Sequence, residues 1–265
     1  LFRCAACDLV QQIPQPMIEE MENIYSINYF DAWGEQTSYQ LYWELKRSLY
    51  QKLLNSITDV HIAGGNALDV GCATGAGLSV LKDMGYSPYG IDVNPYAIET
   101  AKNRTPYASV HHCTLEDAPF TPNFFNLIVF SDIIEHVYNP FDNLNNTYHL
   151  LNKGGCVILL TPDIKSFSAL LMRTYWIHYK KEHLFYFSKK SIERILKKTG
   201  FHIVQLRHIS KPMNMAYVRT QLLNYPIPLM TTCFKFLHSV LLSKMDKKLF
   251  NIPMGELYVQ AIKKI

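Results

Sequence analysis

Along the chain, segments with the apolar spacing of helices alternate with short apolar segments typical of strands. Residues 16–25 and 36–57 have helical spacing, and the second segment carries an apolar stripe at Leu41, Leu45, Leu49 and Leu53. Short apolar segments follow, typical of strands, at 66–70, 88–92, 108–111, 125–130 and 155–160. The segments between them predict helices at 76–84, 95–104 and 140–151. This alternation predicts a doubly wound, seven-stranded and mostly parallel sheet covered by helices on both faces.

The C-terminal part continues the pattern and then interrupts it. Residues 188–199 predict a helix ended by Gly200, followed by strands at 201–207 and 256–262. Between these strands lies a proline-punctuated insertion, 211–253, with a strongly apolar middle at 229–245. An apolar helix of this kind is compatible with four roles: a cap over a pocket, a subunit contact, a membrane-surface contact, or ordinary packing onto the sheet.

These patterns divide the chain of 265 residues into four parts. Residues 1–58 form an N-terminal segment with lid helices, 59–210 the main α/β domain, 211–253 a helical insertion and 254–265 the last strand of the sheet. The absence of a recognisable signal peptide and scattered cysteines favour a cytoplasmic location, with peripheral contact at the inner membrane face as an alternative. Because the chain begins with Leu1, we expect upstream sequence to have been removed.

A glycine-rich turn follows the first predicted strand directly. Residues 69–77 read D-x-G-x-x-x-G-x-G, in which glycines allow the backbone to approach a ligand closely. The next strand ends in Asp92, about 20 residues on, where a carboxylate can accept both hydroxyls of a ribose. The pattern predicts a nucleotide-like cofactor. The alternative is local: Asp69 would cap a turn, and Asp92 the helix that begins at Pro95.

Four motifs in this order resemble the class I S-adenosylmethionine-dependent methyltransferases. They are the glycine-rich turn, residues 111–120, residues 125–137 with the fourth strand and an E-H-V helix, and the Lys153-Gly154-Gly155 turn. The resemblance implies that Gly71 to Gly75 hold the methionine end, Asp92 the ribose and Val93 one face of the adenine. It further implies cofactor contacts from Asp69, Cys72, Ala73, Thr114, Leu115, Glu116 and Ser131, with Asp117 as an alternative to Glu116 and a lid closed by Tyr29. Ala73 and Thr114 depart from the commoner glycine and aspartate.

A narrower resemblance concerns both ends of this region. Cys4-x-x-Cys7 and the segment 182–188, Glu-His-Leu-Phe-Tyr-Phe-Ser, look like the subgroup with an N-terminal zinc knuckle. That subgroup includes sugar and small-molecule methyltransferases and lies near the ubiquinone-type O-methyltransferases. A closed zinc site needs four ligands, so Cys4 and Cys7 are expected to form an incomplete half-site whose other half lay upstream.

Candidate catalytic groups follow from the proton that a hydroxyl acceptor must lose. Histidine suits this role near neutral pH, and His136 and His183 both lie in family-like segments. Glu135 would orient the nearer ring, or would share a divalent metal with both histidines. The other function classes were a nicotinamide-dependent reductase or epimerase, whose G-x-G-x-x-G is missing here, and a non-catalytic module that binds S-adenosylmethionine.

Charge is divided unevenly along the chain. Residues 1–164 contain 8 Lys/Arg and 18 Asp/Glu, whereas residues 165–265 contain 18 and 4, so the net charges are −10 and +14. This asymmetry predicts an anionic partner for the C-terminal part: a phosphorylated small substrate, a nucleotide-sugar, or a membrane face met by 211–253. No nucleic acid partner is expected. The sequence leaves the acceptor and the oligomeric state open.

Overall fold

The computed structural model describes residues 1–25, 35–58, 64–224, 230–240 and 245–264. Within these ranges the strands are β1 (Phe2–Arg3), β2 (Val10–Gln11), β3 (Asn66–Val70), β4 (Ser87–Asp92), β5 (Ser109–His112), β6 (Phe125–Ser131), β7 (Leu151–Pro162), β8 (Phe185–Tyr186), β9 (His202–Met213) and β10 (Phe250–Ile262). The helices are α1 (Ile18–Ile24), α2 (Glu35–Asn55), α3 (Ala76–Asp83), α4 (Pro95–Arg104), α5 (Pro140–Leu150), α6 (Phe167–Met172), α7 (Lys189–Lys198), α8 (Met215–Asn224) and α9 (Met230–Val240).

Seven of these strands form the central sheet, in the order β5-β4-β3-β6-β7-β10-β9. The pairs β5/β4, β4/β3, β3/β6 and β6/β7 are parallel, whereas β10 is antiparallel to both β7 and β9. The predicted seven-stranded, mostly parallel sheet is confirmed. The chain leaves β3 toward β4 and β5 and then returns to the other side of β3 as β6, so the switch point of the topology lies beside β3.

Both faces of the sheet are buried, because alternate residues of each strand enter different cores. Leu68 and Phe130 belong to one apolar cluster, and Ala67, Val129 and Ile158 to the other. The strands therefore read as nearly continuous apolar runs, as expected for a sheet covered on both sides. The α2 stripe packs into the second cluster, where Leu49 and Leu53 are fully buried.

The insertion differs from the sequence-based boundaries. Strand β9 continues to Met213 and β10 begins at Phe250, and these two residues are paired, so the ends of the 211–253 segment extend the hairpin. Antiparallel pairing satisfies the backbone groups there, and helices α8 and α9 occupy part of the remainder. Residues 229 and 241–244, from the apolar middle, lie outside the described ranges. No helix in the described part of the chain has the length and apolar character needed to cross a membrane.

Three further elements were not predicted. Residues 132–139 form a turn and not the predicted E-H-V helix, and the next helix, α5, begins at Pro140. A short helix, α6, follows β7. Strands β1, β2 and β8 form a second, antiparallel sheet that links the N-terminal segment to residues 185–186.

Candidate functional site

A cavity of about 1010 Å³ opens at the carboxyl ends of β3, β4 and β6. This is the switch point of the sheet, where open α/β folds bind their ligands. Helices α1, α2 and α8 contribute to its wall, as does the segment 177–183. The predicted site residues that line it are Gly71, Ala73, Asp92, Val93, Thr114, Leu115, Glu116, Ser131, Glu135, His136 and His183.

The glycine-rich turn bends back along the end of β4. The N–H groups of Gly71 and Cys72 both donate to the carbonyl of Ile91, at 2.8 and 3.0 Å. Gly71 and Gly75 have φ values of 71° and 97°, and Ala73 also lies in the left-handed region, at 46°. Since this region favours glycine, the backbone explains why glycine is the commoner residue at the position of Ala73.

Asp92 is held at the end of β4 by the backbone around it. Its carboxylate accepts hydrogen bonds from the N–H of Ala73 and the N–H of Asn94, both at 2.9 Å. Burial raises its pKa, and these backbone hydrogen bonds oppose that rise. The neighbouring Val93 side chain is 49% exposed at the cavity. A carboxylate and an apolar surface thus stand side by side, the combination that an adenosine needs.

The segment after β5 supplies the next part of the wall. Thr114 donates from its hydroxyl to Asp117 at 2.8 Å, and Glu116 accepts from the side-chain amide of Asn143 at 2.5 Å. Leu115 lies between them and is 5% exposed. Of the two carboxylates predicted as alternatives for the adenine amino group, Glu116 is in the cavity wall and Asp117 is not.

Three predicted cofactor residues lie behind the cavity wall, not in it. Asp69 is fully buried and accepts from the Tyr50 hydroxyl at 2.6 Å, and burial raises its pKa to about 7. Cys72 is buried, and Gly75 starts α3. Since none of these three residues lines the cavity, none of them contacts its interior directly. Tyr29, the predicted lid residue, is outside the described residues.

A cluster of Glu135, His136 and His183 forms the other end of the cavity. Each offers one oxygen or nitrogen atom, and these atoms all lie within 4.8 Å of one another. The two imidazole rings meet edge to face, with centroids 4.6 Å apart. Oε1 of Glu135 and Nδ1 of His183 are buried and have no hydrogen-bond partner among the described residues. Converging buried nitrogen and oxygen atoms without partners are the arrangement that a cation would complete.

The backbone brings this cluster together across 47 positions of sequence. Glu135 and His136 sit in the turn after β6, where the His136 N–H donates to the carbonyl of Ile133. The carbonyl of Glu135 accepts from the N–H groups of Leu184 and Phe185, at 2.9 and 3.1 Å. These two bonds fix Leu184 and the start of β8 against the turn, and His183 immediately precedes Leu184.

Side-chain bonds and burial set the charge of the cluster. Tyr25 shares a 2.7 Å hydrogen bond with Nδ1 of His136, and Glu135 accepts from the Thr161 hydroxyl at 2.9 Å. Burial lowers the pKa of His136 to about 3, with the Lys180 charge adding to the effect. The pKa of His183 is also well below its usual value, first because of burial. Both rings are therefore neutral at pH 7, the form in which imidazole binds metals.

An ion network beside the cluster was not predicted from the sequence. Lys211 donates to both carboxylate oxygens of Asp132, at 2.8 and 2.7 Å, and lies 3.5 Å from Glu256. Lys46 approaches Asp132 to 3.9 Å. Burial would raise the pKa of Asp132, but the charges of Lys211 and Lys46 lower it to about 2. All four side chains line the cavity. A sequence signal existed: Lys211 lies between Ile209 and Met213 on the same face of β9, and both neighbours are buried.

The two N-terminal cysteines lie in a short turn and have few neighbouring side chains that could bind a metal with them. Cys4 and Cys7 are unpaired, and the turn between them is closed by hydrogen bonds from Asp8 N–H to the Cys4 carbonyl and from Cys4 N–H to that of Leu9. Hydrogen bonds from Cys7 and Ala6 lower the pKa of Cys4. This favours a thiolate. The described residues around the pair provide no third metal ligand.

Comparison with known proteins places this geometry in a family. Residues 42–206 match the family described as "Methyltransferase domain". A Mycolicibacterium smegmatis protein whose name is "Probable S-adenosylmethionine-dependent methyltransferase" is 24% identical over 128 residues, 48% of each chain. The mitochondrial ubiquinone biosynthesis O-methyltransferase of Schizosaccharomyces pombe is 24% identical over 171 residues, 59% of this chain and 62% of that protein. The chain thus spans about half to three-fifths of the length of these two relatives.

A solved structure shows the same fold. A Haloferax volcanii protein described as a methyltransferase, in complex with the Trm112 methyltransferase activator, superposes with a TM-score of 0.62 at 15% identity. The match covers 89% of this chain and 98% of that one. The family match extends over more than half of the chain and includes the glycine-rich turn, Asp92 and the Glu135–His136 turn. It therefore excludes the alternative that the chain is a nicotinamide-dependent reductase or epimerase. The chain belongs to the methyltransferase-domain family of Rossmann-like, S-adenosylmethionine-dependent proteins.

Proposed function

We propose that this protein transfers a methyl group from S-adenosylmethionine to a hydroxyl of a small-molecule acceptor. One observation carries the proposal: a single cavity joins the nucleoside-type wall at Asp92 to the buried Glu135–His136–His183 cluster. The first end would hold the methyl donor and the second would receive the proton of the acceptor.

The residues at the first end fit the cofactor chemically. Asp92 offers a carboxylate to paired hydroxyls, while Val93 and Leu115 offer apolar surface to a base. Ser131, at the end of β6, has a buried hydroxyl without a hydrogen-bond partner among the described residues, and it lines the same cavity. A polar ligand would satisfy that hydroxyl.

Replacing Asp92 with alanine should weaken the binding of S-adenosylhomocysteine by about 1–3 kcal/mol, because a charge-assisted contact to the ribose is lost. Isothermal titration calorimetry measures this. Asp92→Asn keeps one acceptor oxygen and the side-chain volume, so its loss should be smaller. Asp83→Ala is the matched control, since Asp83 is an aspartate at the end of α3 that pairs with Arg47 outside the cavity. Unchanged affinity in folded Asp92→Ala would remove Asp92 from the site.

The second end fits a divalent cation. Glu135, His136 and His183 would hold it, and the orphaned Glu135 Oε1 and His183 Nδ1 are the atoms that such an ion would satisfy. A cation in this position supplies positive charge that lowers the pKa of an adjacent acceptor hydroxyl. The mixed nitrogen and oxygen donors are compatible with zinc, manganese or iron, and exclude none of them.

The chain's own contribution to the reaction is alignment and proton transfer. The sulfonium of the cofactor supplies an activated methyl group. The Asp92 end and the turn from Gly71 fix the donor, and the buried wall around the cluster excludes water from the acceptor oxygen. As the new oxygen–carbon bond forms and the sulfur–carbon bond breaks, the hydroxyl proton passes to a group of the cluster. Tyr25 holds the His136 ring through its hydrogen bond at Nδ1.

The walls between these two ends suggest the class of acceptor. Met21, Tyr42, Met213 and Tyr217 give part of the cavity lining an apolar and aromatic character. We infer a lipid-linked or quinone-like hydroxyl compound. The ubiquinone O-methyltransferase relatives support this choice. A sugar or nucleotide-sugar acceptor remains the alternative, favoured by Lys46, Lys180 and Lys211 in the same wall, which suit an anionic group.

Mass spectrometry of reaction mixtures tests the function. The protein is incubated with S-adenosylmethionine and parallel panels of catechol-type quinone precursors, sugars and nucleotide-sugars. Formation of S-adenosylhomocysteine together with a methylated hydroxyl product from one panel supports the proposal and identifies the class. Cofactor binding without turnover on any panel supports the remaining alternative, a non-catalytic module that binds S-adenosylmethionine.

The N-terminal cysteines fit a subordinate proposal. We infer that Cys4 and Cys7 provide two thiolates of a zinc knuckle, as in the subgroup that the sequence resembles. The lowered pKa of Cys4 supports this role. Two thiolates alone do not close a zinc site, so the remaining ligands would come from chain beyond the described residues.

A further inference from the structure

Helix α6 presents an unusually apolar surface to solvent. Phe167 is 79% exposed, the highest value for a large apolar side chain among the described residues, and Leu170 and Leu171 are 66% and 69% exposed. Tyr175, one turn further, is 54% exposed. We call these four residues the α6 patch. Single exposed apolar residues are common, but four within nine positions point to a binding partner.

The helix is fixed, so these side chains cannot fold back onto the protein. Its opposite side is buried: Ala169 packs in a small cluster with Trp176, which is 2% exposed. Ser168 donates to the carbonyl of Met254 at 2.5 Å, and Trp176 donates from its indole N–H to Ser168 at 3.3 Å. Strand β10 and the indole therefore hold α6 with the patch outward.

Basic residues are common in the sequence around the patch. Residues 164–181 contain four basic residues and no acidic one, and the acidic residues that bound this segment, Asp163 and Glu182, are buried. Lys165 is paired with Asp8, and Lys180 is buried, whereas Arg173 and Lys181 are exposed. The whole C-terminal part of the chain, residues 165–265, carries a net charge of +14. Apolar side chains flanked by exposed cations match a lipid bilayer with anionic headgroups, in which both parts of the surface find a partner.

The patch is close in sequence to the cavity wall. Only Trp176 separates Tyr175 from Ile177 and His178 along the chain, and both of these line the cavity. Consecutive Cα atoms are about 3.8 Å apart, so a protein docked through the patch would hold this part of the cavity wall close to the bilayer.

From these observations we propose that the α6 patch docks the protein on the surface of a bilayer that contains anionic lipid. The contact is distinct from the 211–253 insertion, which the sequence had suggested for this role. Phe167, Leu170 and Leu171 insert into the headgroup region, and Arg173 and Lys181 contact anionic headgroups. The proposal goes beyond the methyl-transfer proposal and holds for the protein without any acceptor.

Vesicle co-sedimentation of the full chain tests it. The wild-type protein should bind phosphatidylcholine vesicles containing about one-third phosphatidylglycerol, and should bind pure phosphatidylcholine vesicles more weakly. The triple variant Phe167→Ser/Leu170→Ser/Leu171→Ser should lower the partition coefficient by at least about 10-fold, since three apolar side chains no longer enter the headgroup region. Arg173→Gln/Lys181→Gln should remove most of the preference for the anionic vesicles.

A matched control replaces exposed apolar residues at the opposite edge of the sheet. Met84 and Tyr107, 38% and 45% exposed, precede β4 and β5, so Met84→Ser/Tyr107→Ser should bind vesicles like the wild type. Far-UV circular dichroism verifies that each variant is folded, and calorimetry with S-adenosylhomocysteine, without vesicles, reports separately on the methyl-transfer proposal. Wild-type protein that ignores anionic vesicles, or a triple variant that binds them equally, overturns the proposal. A triple variant that changes only the oligomeric state in size-exclusion chromatography also overturns it, in favour of a protein interface.

Discussion

His183→Ala should lower turnover by about 100- to 10,000-fold, the contribution expected from a positioned proton-transfer group. His183 is buried, its Nδ1 has no hydrogen-bond partner among the described residues, and its ring lies against His136. Affinity for S-adenosylhomocysteine should remain nearly unchanged, because the Asp92 end of the cavity is built from other loops. Steady-state kinetics with the acceptor found by mass spectrometry, together with calorimetry, gives both quantities.

His202→Ala is the control, since His202 is exposed at the start of β9 and does not line the cavity. A chelator then separates two roles for the cluster. Activity lost to EDTA and restored by a divalent ion supports the metal, and loss of Mn²⁺ binding in His183→Ala and Glu135→Gln would accompany it. Indifference to EDTA supports a simple base. If His136→Ala and His183→Ala both turn over like the wild type, the acceptor is a carbon or a neutral amine, and the cluster has no part in proton transfer.

The cavity wall around Asp92 could be predicted in part from the sequence, because each of its residues lies at or just after the end of a strand. Gly71 and Ala73 follow β3, Asp92 ends β4 and Val93 follows it, and 114–116 follow β5, so each group is placed by one strand of a regular parallel sheet. The alternation of apolar and amphipathic segments specifies that sheet, since strands buried on both faces need helices on both sides. Backbone position places these residues in the wall, whereas Asp69, Cys72 and Gly75, which were predicted for the same end, lie behind it.

The cluster of Glu135, His136 and His183 depends on contacts that no local pattern encodes. The sequence predicted an E-H-V helix around Glu135 and His136, yet this segment is a turn, with Asp132 at φ 58°. His183 reaches this turn because the N–H groups of Leu184 and Phe185 bond to the Glu135 carbonyl. The residues were found through family-like motifs, and their mutual geometry required the tertiary structure.

Lys211 shows how a boundary error hides a residue of the cavity wall. The sequence predicted that Lys211 is the first residue of a proline-punctuated insertion. In the structure β9 continues through both residues, and antiparallel pairing with β10 places Lys211 opposite Ile252. From there its ammonium reaches Asp132, 79 positions away. A lysine on a buried strand face is uncommon, and its pairing with two carboxylates explains its presence.

Lys211→Met should lower the free energy of unfolding at pH 7 by about 3 kcal/mol, because it leaves the carboxylates of Asp132 and Glu256 without their nearest cation. The side chain of Lys211 is 12% exposed and that of Asp132 is 22% exposed, so water compensates only in part. Urea denaturation measures the change. The control is Lys197→Met, which removes an equally short ion pair with Glu193 on the exposed surface of α7 and should cost less than about 1 kcal/mol.

The loss of stability in Lys211→Met, relative to the wild type, should depend on pH in a defined direction. In the wild type the pKa of Asp132, about 2, lies below its ordinary value of 3.8, so the ion pair contributes fully above that ordinary value and is lost as the pH falls toward 2. Lys211→Met lacks this contribution at every pH. Its deficit relative to the wild type should therefore be constant near neutrality and shrink as the pH falls below about 4. Adding Asp132→Asn to Lys211→Met should restore part of the stability at pH 7, since the unpaired charge is removed. A deficit that persists unchanged in acid, with no recovery in the double variant, would mean that Lys211 stabilises the fold through packing of its aliphatic stem and not through its charge.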